Sequence, residues 1–86
     1  MSVAQEIEQI LRTNLNIKFL KIIDESHKHI GHSGYKEGGE SHFRLQVVSP
    51  EFKGMTRLEK QKKIYKLLDE LMKKQIHALS LDLTSE

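Results

Sequence analysis

The sequence has no cysteine and no tryptophan, a single proline, and only 6% aromatic residues. Each shortage excludes something. Without cysteine there are no disulfides, which short chains that last outside a cell generally use, so a reducing interior is expected. Nor can the chain build a thiolate-ligated metal site of its own, which removes zinc ribbons and self-sufficient ferredoxins. Catalysis has little support. There is no cysteine nucleophile, no serine sits in a nucleophile-elbow sequence, and no glycine-rich phosphate loop opens a helix. The expectation is a protein that is not an enzyme. Long hydrophobic runs are missing too: no segment approaches the roughly 20 apolar residues that span a bilayer. The opening MSVAQEIEQI carries two Glu and no Lys or Arg, unlike a signal or transit peptide. A cytoplasmic protein with no membrane partner is expected, or an organelle-matrix protein if a transit peptide has been removed.

What is present is compact and charged. The chain has 86 residues, of which 37% are hydrophobic and 30% charged. One domain over residues 1–86 fits that length, as a monomer or weak homo-oligomer on its own, and such a core holds little stability in reserve. Net charge is only +2, but residues 51–74 hold eight basic side chains against four acidic ones. Such a stretch either meets phosphate or an acidic partner, or is the solvated face of a helix.

The hydrophobic periodicity sets the elements. Val3, Ile7, Ile10 and Leu11 fall on one face of a helix over about 3–14, with Ser2 and Gln5 as a capping box. Residues 17–24 read as a strand. Residues 25–40, ESHKHIGHSGYKEGGE, read as a long loop with four of the five glycines and three of the five histidines, and loops of that length are usually functional or disordered. Residues 41–49 alternate as a half-buried strand ended by Pro50. Residues 51–55 make a connector or short helical turn. Thr56 and Glu59 form a second capping box, opening a helix to about Lys74 with Ile64, Leu67, Leu68 and Leu71 buried and with Tyr65 and Met72 widening the stripe. Residues 76–83 are a third strand. The expected fold is α+β in the order α-β-β-α-α-β, a three-stranded mixed sheet with the helices mainly on one face. Strand 2 lies between an antiparallel strand 1 and a strand 3 made parallel by the helical crossover. That topology brings the start of strand 3, with His77, to the end of the sheet that carries the histidine loop.

Histidine is a common metal ligand, and His27, His29 and His32 cluster in the loop. The alternative is a solvated polar loop. His77 shares strand parity with Leu79 and Leu81, so pattern alone reads it as a buried, hydrogen-bonded histidine. His42 reads as structural, bonded locally to backbone at the strand entrance. Gly31-His32-Ser33-Gly34 matches a GxxG phosphate clamp, which works when it joins two helices; here it lies between strands. Asp24 and Glu25 read as the end of the strand and a support for loop geometry.

Several short motifs then occur in order. Glu25-Ser26 leads into the histidine loop. Glu40-Ser41-His42-Phe43 follows, then Val47-Val48-Ser49 with Phe52 and Gly54, and finally Ile76-His77-Ala78-Leu79-Ser80-Leu81. Together, through nearly the whole chain, they resemble the BolA family. The resemblance implies an α-β-β-α-α-β fold similar to class II KH domains. It implies a non-enzymatic adaptor that binds a monothiol glutaredoxin and shares a 2Fe–2S cluster with it, in iron–sulfur trafficking or iron-linked regulation, and holds no cofactor alone. On that resemblance glutaredoxin and glutathione supply thiolates. This chain supplies His77 and a loop ligand that falls on His29, with His32 as substitute. Imidazole in place of thiolate makes a cluster less negative and its ligation pH-sensitive.

The same resemblance also implies an alternative, a transcriptional regulator that binds DNA. Its local support is the basic 53–74 stretch, where Lys60, Lys62, Lys63 and Lys66 would contact nucleic acid or a protein partner. Near-neutral net charge and few aromatics for base stacking weigh against it. A zinc module built from His27, His29, His32 and His77 is a third reading. One departure stands out: many relatives carry Arg-His-Arg where this chain has Lys60-Gln61-Lys62, so basicity is kept and the histidine is not.

Overall fold

A computed structural model describes residues 2–25 and 41–85. Helix α1 runs Val3–Asn14. The Ser2 hydroxyl accepts from the Gln5 N–H, and the Gln5 side chain accepts from the Ser2 N–H, so two otherwise unpaired amide donors are satisfied reciprocally. Strand β1 spans Phe19–Asp24 and strand β2 His42–Val48. A 3-10 turn over Pro50–Phe52 follows, with the Ser49 hydroxyl accepting from the Glu51 N–H. Helix α2 (Arg57–Leu67) opens on the second capping box, Thr56 with Glu59. Helix α3 covers Asp69–Lys74 and strand β3 Ala78–Thr84.

The sheet order is β1-β2-β3, with β1 antiparallel and β3 parallel to β2, as the sequence predicts. Register sorts the side chains onto two faces. Leu20 and Ile22 stand opposite Val47 and Leu45, and Phe43, Leu45 and Val47 stand opposite Leu79, Leu81 and Leu83. That apolar face packs against Val3, Ile7 and Leu11 of α1, Ile64 of α2, Leu68 between the helices and Leu71 of α3 in a single core. Full burial of a Leu or Phe contributes about 1.5–3 kcal/mol relative to exposure, so β2, with three buried apolar side chains, anchors the domain. The opposite face carries Lys21, Arg44, Ser80 and Asp82, and Phe19 is 51% exposed.

The structure corrects the sequence reading at several points, among them Leu67, expected buried and found half-buried, and β2, expected over 41–49 and found over His42–Val48. The single helix expected from Thr56 to about Lys74 is two helices, broken at Leu68. Tyr65, expected to widen the buried stripe, is exposed, and its hydroxyl donates to the Leu79 carbonyl. Strand β1 begins two residues late, at Phe19. Strand β3 begins at Ala78 rather than Ile76, because the Ile76 N–H donates back to the Leu71 carbonyl at 2.9 Å and closes α3. His77 therefore precedes the strand instead of lying second in it.

Candidate functional site

The end of the sheet where β2 begins gathers Ser41, His42 and His77. His42 stands opposite Ala78 in the parallel register. Just before it, the Ser41 carbonyl accepts from the N–H of His77 at 2.7 Å and more distantly from that of Ala78 at 3.4 Å. On the other side the Glu25 N–H donates to the His42 carbonyl at 2.7 Å. Both residues that bracket segment 26–40, Glu25 and Ser41, are thus tied to the sheet within two residues of His42 or His77. His27, His29 and His32, and the GxxG stretch, lie outside the described residues.

The two described histidines differ sharply. His42 is buried, 7% exposed, and its Nδ1 is hydrogen-bonded to the fully buried Ser41 hydroxyl at 2.8 Å. His77 is exposed. This overturns the pattern-based reading of His77 as a buried histidine. Leu79 and Leu81, whose parity suggested it, are themselves only half-buried, and His77 lies ahead of the strand that parity describes. His42 is buried, as a structural residue should be, and its ring bonds locally to the neighbouring Ser41 side chain. The two rings stack, with centroids 5.9 Å apart and planes 13° from parallel. Sequence reasoning missed this contact. Its signal was the meeting of the Ser41-His42 and His77-Ala78 pairs, which appears only once the β2–β3 register is known.

Close by, the Glu25 carboxylate accepts from the Arg44 guanidinium at 3.0 Å, fixing the end of β1 as expected. Among the described residues no group of three or more His, Cys, Asp or Glu side chains gathers to hold a metal ion. Among the described residues His77 is the exposed imidazole, and the chain has no thiolate.

The basic helix α2 runs along β3, with Lys60 reaching Leu83 near its end and Tyr65 reaching Leu79 near its start. Lys62 and Lys66 are exposed and Lys63 half-exposed, while the half-buried Lys60 donates to the Leu83 carbonyl at 3.4 Å. Beside it Arg57, Lys60 and Gln61 face Leu81, Asp82 and Leu83 across a cleft of about 250 Å³. Asp82 offsets part of its positive charge.

The family model described as BolA-like protein matches residues 11–86. The chain belongs to the BolA-like family. It is 42% identical over 83 residues to the DNA-binding transcriptional regulator BolA of Haemophilus influenzae, covering 96% of this chain and 77% of that one. It is 36% identical over 81 residues to the protein of the same name from Escherichia coli, covering 94% and 73%. Among solved structures, the BolA domain of SufE1 from Arabidopsis thaliana superposes with a TM-score of 0.86 at 32% identity, covering 99% of this chain and 94% of that one. This BolA-like chain thus shares both sequence and fold with the family along nearly all its length.

Proposed function

We propose that this BolA-like chain is a non-enzymatic adaptor that binds a monothiol glutaredoxin and lends the His77 imidazole to a 2Fe–2S cluster shared with it. The observation that carries the reading is the exposed His77, with its backbone pinned by Ser41 at the sheet end where Glu25 bonds His42. The loop contributes the second ligand, His29, with His32 as its substitute. The chain has no thiolate, so thiolates come from glutaredoxin and glutathione. When bound, the cluster supplies iron that accepts an imidazole nitrogen. The chain's residues bind the partner and present that nitrogen deprotonated, which makes the association pH-sensitive.

The test mixes the protein with a monothiol glutaredoxin, iron, sulfide and glutathione, and records visible absorption and circular dichroism. A mixed-complex spectrum is expected, distinct from that of glutaredoxin alone. His77→Ala should abolish or alter it while shifting apo stability by no more than about 0.5 kcal/mol, as for other exposed positions. His29→Ala should do likewise, with partial compensation by His32. An unchanged spectrum in His77→Ala overturns the reading.

A second reading, regulation of transcription through DNA binding, is favoured by the names of the two bacterial relatives and by the exposed lysines of α2. Its mark would be sequence-specific DNA binding that survives His77→Ala.

A further inference from the structure

We infer that His42 is the positioning residue for His77: its buried ring is the platform on which the exposed imidazole lies, and so sets the direction in which His77 presents its nitrogens to a metal. The inference rests on the cluster-sharing reading for the identity of the metal group. The stack itself rests on the geometry alone.

An exposed histidine turns about two side-chain bonds on a picosecond-to-nanosecond timescale. A ligand works best when packing has already selected its rotamer. The His77 backbone is restrained from across the sheet, by its N–H bond to the Ser41 carbonyl. Its ring is restrained from below. The 5.9 Å centroid separation and 13° tilt fall within the range of offset aromatic stacking.

The platform is firmly held. His42 belongs to the central strand, its carbonyl accepts from Glu25, and its Nδ1 is tied to Ser41, which is itself fully buried. Ser41 therefore acts twice, fixing the His77 backbone through its carbonyl and the His42 ring through its hydroxyl. Stacking also suits coordination. An imidazole binds metal through a lone pair in the ring plane, whereas the stack occupies a ring face. His42 can hold the His77 ring without competing for the nitrogen that binds.

Two readouts test this on the full-length protein with His42→Ala, His42→Phe and Ser41→Ala. In the apo protein, side-chain NMR reads the ring-current shift of His77. It should collapse in His42→Ala and persist in His42→Phe, which keeps a flat ring but no nitrogen. In the mixed complex with glutaredoxin, release of the cluster to a chelator should be about 10-fold faster in His42→Ala, at the low end for loss of a ligand-supporting contact. It should be near wild type in His42→Phe. If the wild type forms no His77-dependent mixed complex, the cluster reading fails and this inference falls with it. If the wild type and His77→Ala behave as proposed but His42→Ala holds the cluster like the wild type, the inference alone is overturned. If His42→Ala does not fold, His42→Leu, which fills the site without a flat ring, takes its place. Faster release there, with retention in His42→Phe and Ser41→Ala, both of which keep a flat ring without the Ser41–His42 bond, supports the platform, and wild-type release in His42→Leu overturns it.

Discussion

Gly54 shows how a single residue can set where an element starts. Its φ of +82° lies in the left-handed region, which side chains other than glycine enter at a cost. It lies two residues after Phe52, which is buried in the core, and the Met55 N–H donates to the Phe52 carbonyl at 3.0 Å. The turn thus drives one aromatic into the core and releases the chain at Thr56 to begin α2. A Cβ on Gly54 would meet nothing within 4 Å, so substitution is opposed by backbone strain and not by crowding. Gly54→Ala should destabilise the protein by about 1 kcal/mol, and Gly54→Asn by less, since asparagine tolerates this region better. Urea unfolding of the three proteins checks the order, and equal midpoints would remove the argument. Residue environments are legible in the sequence only where neighbours along the chain decide them. Parity suggests burial for His77, which is exposed, because parity speaks only for residues inside a strand.

At the scale of elements, α2 is the most dependent on its end. Within its own span it buries only Ile64, so little packing holds its first turn, and the reciprocal Thr56–Glu59 bonds carry more of the burden. Thr56→Ala should lower stability by about 1 kcal/mol, and Thr56→Ser should leave it nearly unchanged. Thermal or urea midpoints read both, and a neutral Thr56→Ala would mean that packing holds the helix start. Both capping boxes, the three strands and the amphipathic face of α1 are legible in the amino-acid sequence, because each is a local pattern with a local cause. The break at Leu68 is not. No glycine or proline marks it, and Leu68 is fully buried at the junction between α2 and α3. The late start of β3 has the same origin: Ile76 is apolar and β-branched, yet its amide is used to close α3.

For the molecule as a whole, the topology brings Ser41 and His42 beside His77 and Ala78 across a parallel pair of strands. Sequence order predicts that convergence through the helical crossover. The register, and with it the stacked rings, is a tertiary outcome that no local pattern encodes. The basic cleft lies at the Leu81–Leu83 end of β3, away from His77, while Tyr65 of the same helix reaches Leu79, so ligation and electrostatic attraction are separated by their readouts. Lys60, Lys62, Lys63 and Lys66 are expected to speed encounter with a partner without setting specificity, since long-range charge acts mainly on association rates. Changing all four to Gln should slow glutaredoxin association at low ionic strength. The difference should shrink as salt shortens the screening length, about 10 Å at 0.1 M. The spectrum of the saturated mixed complex should stay the same. Lys60→Gln alone is the necessary control, because Lys60 also bonds the Leu83 carbonyl. If these lysines instead contact DNA phosphates, each one lost should reduce the slope of log affinity against log salt by roughly 0.9. Loss of sequence-specific DNA binding with glutaredoxin association unchanged would move the transcriptional reading ahead of the adaptor.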